Sequence, residues 1–298
     1  MTRPRLAITL GDPRGIGPEI VAAAISDSRV RARADLVVVG PSGTVVPAQE
    51  EIGAWSAGGS EQHGGRLAGL AIARATKLAL AGEVQGIVTA PIDKHALFAG
   101  GYDFPGHTEM LAELTGSHVA MMLASDRLRV VLVTTHIALR DVARELTRER
   151  IIECAAITRR GLQQLYGIAE PRIALCALNP HMGDGGRFGA EDDTLLAPAA
   201  RDANILGPFP ADTVFVRAMR GSFDAVLAPY HDVGMTAIKV ASFGSAVNVT
   251  MGLPFPRTSP DHGTALDIAG QNRADPSSMI EAILECARFT EQPAAAKN

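Results

Sequence analysis

Short apolar runs bounded by glycine, proline or charge recur along the chain: RLAITL, DLVVVG, GIVTA, VAMMLA, RVVLVTT, RIALCAL, DAVLAP and AVNVTMG. They are short and read as buried strands. Between several of them lie longer stretches with helical spacing: GRLAGLAIARATKLALAGE, ERIIECAAITRRGLQQLYG, EDDTLLAPAARDA and DPSSMIEAILECARF. In the last, Ile280, Ile283 and Leu284 share a face, and Asp275 or Ser277 is available as a cap. Alternation of strand and helix predicts a largely parallel sheet with helices packed on it. The Gly/Ser/Ala-rich stretch 41–65 has weak periodicity and reads as a loop holding one short strand or turn.

With 298 residues the chain exceeds the usual single core, which predicts two domains or one large α/β unit. Charged residues make up 20% and the net charge is −4, with basic residues dispersed among acidic ones, so no cationic face for a nucleic acid is evident. Aromatics at 4% leave little for base stacking. The three cysteines, Cys154, Cys176 and Cys286, are widely spaced and form no C-x-x-C pair, which argues against a disulfide framework or thiolate zinc site and fits a reducing cytoplasm. The opening apolar run is too short for a signal peptide. The Ala/Leu-rich segment Leu67 to Ala81 is interrupted by Arg74 and Lys77, so no membrane span is expected.

There is no G-x-S-x-G, no P-loop, no H-E-x-x-H and no full G-x-G-x-x-G, which counts against serine hydrolases, P-loop enzymes, zincins and ordinary Rossmann dehydrogenases. What remains is a set of histidines that follow apolar runs: His136 after RVVLVTT, His181 after RIALCALNP, and His231, beside Asp232, after DAVLAPY. Ligands in open α/β folds bind beyond the carboxyl ends of strands. Three imidazoles converging there would leave an open position on a divalent metal, although their separation in sequence carries no spacing signature and each can equally be a satisfied structural histidine. A second group suits a small anion: His107 and Thr108 open a predicted helix, and Lys239, Asn248 and Arg257 follow in segments read as strand and loop. Taken singly, Lys239 and Arg257 read as solvated surface charges; several converging would reverse that reading.

In order along the chain, TLGDPRGIGPEI, GHTEML, TTHIALRDV, LNPHMGDGGRFGAED, GPFPADTVF, YHDVGM and VNVTMGLPFPRTSPDHGTALDIAG resemble the 4-hydroxythreonine-4-phosphate dehydrogenase family of vitamin B6 biosynthesis. That family is similar to the isocitrate and isopropylmalate dehydrogenases, whose amino-terminal and cofactor-loop patterns GDPRGIGPEI and HGTALDIAG resemble. The resemblance implies two α/β/α domains with a cleft between them: 1–105 with 250–298 on the cofactor side, and 106–249 for substrate, metal and dimerisation. Departures include Val233, where many relatives have Gln, and a short 41–65 segment.

The resemblance also implies the residue roles. The metal (zinc, magnesium, manganese or cobalt, one per site) falls to His136, His181 and His231, and the substrate to His107, Thr108, Lys239, Asn248 and Arg257. NAD or NADP falls to His262, Gly263, Thr264, Ala265 and Asp267, and proton transfer to Asp212, Asp232 or Lys239. The implied protein is a cytoplasmic homodimer whose active sites are shared between subunits. The implied reaction is oxidation of 4-phosphooxy-L-threonine to 2-amino-3-oxo-4-(phosphooxy)butanoate, which loses CO₂ to give 3-amino-2-oxopropyl phosphate. Related substrates are 4-phosphoerythronate, 4-phosphothreonate and, less suited to these anion residues, aromatic dihydrodiols. A non-catalytic sugar-phosphate-binding module is the alternative of a different class.

Overall fold

The structure, a computed structural model, describes residues 3–242 and 246–291. The chain divides into two units, the first running to His118 and resuming at Val247, the second running from Val119 to Ala246.

The first unit starts with β1 (Arg5–Thr9), α1 (Gly17–Ser26), α2 (Ser28–Arg33), β2 (Asp35–Ser42), β3 (Glu50–Ala54), α3 (Glu61–Leu80), β4 (Gly86–Thr89), α4 (Lys94–Ala99) and α5 (His107–Thr115). The second follows with β5 (Ala120–Ala124), β6 (Arg129–Leu132), α6 (Val142–Glu145), α7 (Arg148–Tyr166), β7 (Ile173–Cys176), α8 (Ala197–Asp202), β8 (Leu206–Phe209), α9 (Ala211–Met219), β9 (Ala225–Ala228) and α10 (His231–Ser242). The chain then completes the first unit with β10 (Val247–Met251), β11 (Arg257–Pro260) and α11 (Ser277–Thr290).

Within the first unit the strands lie in the order β3-β2-β1-β4-β11-β10, parallel except for the antiparallel pairing of β10 with β11. Within the second the order is β5-β6-β9-β7-β8, again parallel except where β5 meets β6. The eight apolar runs all become strands, and β4, β7 and β9 are buried at every position. Separate cores follow. Val37, Val39, Ala71, Ala75, Leu78 and Ile87 pack in the first unit, and Leu128, Val130, Leu132, Val214, Val226 and Ile238 in the second. Burying side chains of this kind contributes about 1.5–3 kcal/mol each. No helix among the described residues is long and apolar enough to cross a membrane.

Four local expectations are revised. The stretch 61–65, read as loop, is the first turn of α3, where the Ser60 hydroxyl accepts the His63 amide at 3.2 Å. Its Gly64-Gly65 pair looks like a helix breaker but permits close packing: a Cβ on Gly65 would lie 1.7 Å from the Ala96 carbonyl oxygen of α4. Lys239 sits on α10 and not in strand or loop; Gly234, Ile238 and Ser242, spaced by four, give that helix its buried stripe beneath the β-branched residues that disguise it. EDDTLLAPAARDA forms a π-helical turn at Asp192–Leu196 before α8. Finally, α5 packs on α3 and keeps His107 and Thr108 in the first unit, although the sequence assigns them to the second domain. At α11, Asp275 is the capping acceptor, taking the amide of Ser277 at 2.9 Å.

Candidate active site

In the second unit β6, β9 and β7 are neighbours and parallel, with Leu132 level with Ala228 and Leu175 level with Leu227. Their carboxyl ends therefore open on the same side. His136 follows β6, His231 follows β9 and His181 follows β7, so three strand ends deliver the three imidazoles to one end of one sheet. The Thr134 hydroxyl donates to the Pro229 carbonyl at 2.7 Å, tying the first two ends together. The rings of His136 and His231 lie 5.5 Å apart, centre to centre. They line a cleft of about 110 Å³ with Thr135, Tyr230, Asp232 and Leu139. His231 Nδ1 donates to Asp232 at 2.7 Å, which fixes the ring and leaves Nε2 as the free lone pair, the usual preparation of a metal-ligating histidine. His181 is exposed, and no group of three His, Cys, Asp or Glu poised for a metal forms within the chain among the described residues. The donor chemistry suits a borderline divalent ion, with a third ligand to be brought in. Asp212 is exposed on the first turn of α9 and does not line this cleft, whereas Asp232 does. Asp232 and Lys239, seven residues apart on α10, share a helix face.

The anion group is built differently. Arg257 opens β11 and is 1% exposed, which overturns its reading as a surface charge. Its Nη1 donates to the Thr250 hydroxyl at 2.9 Å and its Nη2 to the Thr89 hydroxyl at 2.6 Å, while Nε is buried without a partner. Desolvation lowers the guanidinium to about 10, opposed through space by Glu109, so it stays charged at neutral pH. Burial and then the charge of Arg257 push His107 well below its usual range, so that imidazole is neutral. Its Nε2 is sealed from solvent without a partner, as is Asn248 Oδ1 on β10. Thr108 stands in the first turn of α5, whose amino end has no side-chain cap. A buried cation hydrogen-bonded to hydroxyls, a buried imidazole and helix amides without a side-chain cap together have the chemistry of an anion site.

The cofactor candidates lie in the first unit, in a loop after β11. Its strand order reverses direction from β1, to β2 on one side and β4 on the other, the switch point at which α/β sheets bind nucleotides. There the Asp12 amide donates to the Pro91 carbonyl at 3.0 Å, and buried Asp12 grips Arg14 through Nη2 at 2.7 Å. The Ile16 amide donates to Thr264 at 2.9 Å, and Asn272 donates its amide to Glu19 at 3.2 Å. The two segments read as opposite ends of one pattern thus touch. His262 keeps a buried, unpartnered Nε2, Ala265 holds a left-handed φ of 42°, Gly263 has open space around it, and the Asp267 carbonyl accepts from Gln271 at 2.8 Å. A Cβ on Gly15 would lie 2.7 Å from the Thr264 oxygen. Gly15→Ala is therefore expected to displace this loop at ~1–3 kcal/mol of strain and, if the loop holds the nicotinamide cofactor that the resemblance implies, to raise the KM for it by about tenfold or more. Initial-rate kinetics and thermal unfolding check it, and an unchanged KM removes the loop from cofactor binding.

Three contributors escaped the sequence reading: Thr89 and Thr250, which hold Arg257, and buried Asp192, which accepts from the amides of Leu178 and Asn179 just before His181. The threonines look like ordinary strand residues. Asp192 sits in the charged run AEDD, which reads as the solvated start of a helix.

A family model described as pyridoxal phosphate biosynthetic protein PdxA matches residues 19–286. The 4-hydroxythreonine-4-phosphate dehydrogenase of Geobacter metallireducens is 44% identical, the match covering 97% of this chain and 96% of the relative. The D-threonate 4-phosphate dehydrogenase of Salmonella typhimurium is 41% identical over 93% of this chain and 96% of its own length. Among solved structures, the 4-hydroxythreonine-4-phosphate dehydrogenase of Klebsiella pneumoniae superposes with a TM-score of 0.84 at 37% identity, covering 97% of this chain and 100% of that one.

Proposed function

This chain belongs to the pyridoxal phosphate biosynthetic protein PdxA family, and from that membership and the site we propose that it is the oxidoreductase 4-hydroxythreonine-4-phosphate dehydrogenase of vitamin B6 biosynthesis. The observation that carries the substrate class is Arg257, a buried cation with no carboxylate bonded to it, beside the orphaned atoms of His107 and Asn248. A phosphate dianion, which only accepts, satisfies Arg257 and an Nε2–H of His107, because a guanidinium fork matches two of its oxygens, while Asn248 Oδ1, itself an acceptor, suits a hydroxyl or ammonium group of the same substrate. Thr108 and the first amides of α5 complete that grip, and Lys239 is assigned to the same substrate.

When bound, a divalent ion at His136, His181 and His231 would supply Lewis-acid polarisation of the hydroxyl being oxidised, and NAD or NADP the hydride acceptor. His231 is held in the ligating tautomer by Asp232. As the carbinol hydrogen leaves with its electron pair, the hydroxyl proton needs an acceptor; Asp232, which lines the histidine cleft, is the favoured one of Asp232, Asp212 and Lys239. The product is a β-keto acid, whose loss of CO₂ gives 3-amino-2-oxopropyl phosphate. The cofactor loop at His262, Gly263, Thr264, Ala265 and Asp267 places the nicotinamide. Because one chain does not gather three ligands among the described residues, we assign the complete site to a homodimer; Leu139, which lines the histidine cleft and is 67% exposed, supports a second copy covering it.

A second reading, oxidation of D-threonate 4-phosphate, is favoured by the 41% identity to the Salmonella enzyme, close to the 44% of the first relative. Both substrates carry the phosphate that Arg257 needs. Purified enzyme assayed with each is expected to prefer 4-phosphooxy-L-threonine by more than about tenfold in kcat/KM, ~1.4 kcal/mol of transition-state discrimination. The opposite preference would retain the mechanism and reassign the substrate.

A further inference from the structure

We propose that Asp192 is a positioning residue for the oxidation, a carboxylate that sets the turn on which His181 is presented; this rests on the reading of His181 as a metal ligand. Asp192 is 1% exposed, and its two oxygens are divided between consecutive backbone amides, Oδ1 taking Leu178 N–H at 2.8 Å and Oδ2 taking Asn179 N–H at 2.9 Å. Those amides lie just past the end of β7, immediately before Pro180-His181. Next door, Asn179 Nδ2 donates to Glu191 Oε2 at 2.8 Å, and Glu191 is held below the usual carboxylate range by backbone hydrogen bonding and by Asn179. The segment from Asn179 to Glu191 is thereby closed at its base by two adjacent acids.

What the clamp holds is strained. His181, Met182 and Asp184 take φ values of 52°, 58° and 46°, in the left-handed region that costs a non-glycine residue about 1 kcal/mol. Such a run persists only where its surroundings over-determine it. Local closure by Phe188 N–H to Gly183 at 3.0 Å and Met182 N–H to Asn179 at 3.2 Å shapes the loop internally. Asp192 and Glu191 attach its base through side-chain hydrogen bonds. An exposed histidine on a glycine-rich loop would otherwise sample many positions, and ordering it would be charged against metal affinity. The carboxylate removes that cost in advance, and its burial explains why an acid stands where the surrounding burial favours an apolar residue.

The test uses the full-length protein and cobalt(II) alone. Asp192→Asn keeps the shape but turns an N–H donor toward an N–H donor. Cobalt affinity, by competition with a chelator, is expected to fall about 10–100-fold, with a changed cobalt absorption band and a Tm close to wild type. Asp192→Glu, which keeps both acceptors, recovers part of the loss. His181→Ala is the reference. If wild type binds cobalt no better than His181→Ala, the metal reading itself fails; if His181→Ala loses cobalt while Asp192→Asn keeps wild-type affinity and spectrum, only the positioning role is overturned. Should Asp192→Asn not fold, amide exchange of metal-free wild type decides. Slow exchange at Leu178 and Asn179 supports the clamp, and exchange at the rate of an open loop overturns it.

Discussion

Arg257→Met is expected to lower kcat/KM for the phosphorylated substrate by about a thousandfold, ~4 kcal/mol, while leaving the free protein as stable as wild type or more so. Both halves follow from the same geometry. The guanidinium is 1% exposed and bonded to two hydroxyls, so the empty site carries the desolvation cost of a cation without a hydrogen-bonded anion to offset it. Replacing a buried charge with an apolar side chain of similar length is often neutral or stabilising. On the proposed reading, substrate phosphate is what makes the charge favourable. Inorganic phosphate should accordingly raise the Tm of wild type, by mass action on the folded state, and leave Arg257→Met unmoved. Arg257→Lys keeps the charge but not the fork and should recover only part of the activity. Unfolding curves with and without phosphate, beside steady-state kinetics, check this; a variant that is strongly destabilised yet still protected by phosphate would make Arg257 structural.

His181→Ala is expected to abolish metal-dependent turnover, by about a thousandfold or more, with the fold intact. With His181 in the proposed role of metal ligand, one lost ligand of three would remove several kcal/mol of charge stabilisation in the transition state. The side chain is exposed on its loop, so no packing is lost with it. His181→Gly should lose the same activity and gain up to about 1 kcal/mol of stability, because glycine adopts the φ of 52° without strain. Cobalt binding, turnover and thermal unfolding measured together test this, and near-normal activity in either variant would remove His181 from the metal site.

Eight strands were legible because strands buried on both faces favour short apolar runs, whereas β3, β8 and β11 were not: β11, Arg-Thr-Ser-Pro, is buried throughout and yet polar. The position of the histidines was legible for a related reason: RVVLVTT, RIALCAL and DAVLAP each give way to polar residues where α/β sheets place chemistry, and the pairing of β6, β9 and β7 brings those ends side by side. Burial of charge was not legible. A lone Arg257 between PFP and TSP reads as a surface residue, since one threonine hydroxyl that holds it comes from β4, 168 positions earlier, and the other from β10 only through its antiparallel pairing with β11. Nor was the clamp at Asp192, whose amide partners precede it by 14 and 13 positions. Gly64-Gly65 misled for the opposite reason, because a residue that lowers local helix propensity was selected by the close approach of α4.

The most direct test of the central claim is a nicotinamide-reduction assay on the purified protein with 4-phosphooxy-L-threonine, before and after chelation and again after a divalent ion is restored. The account predicts NAD or NADP reduction that is lost on chelation, returns with the metal, and is matched mole for mole by released CO₂. Reduction that persists in chelated enzyme would contradict the histidine site, and no reduction of either cofactor in metal-loaded enzyme would contradict the dehydrogenase itself.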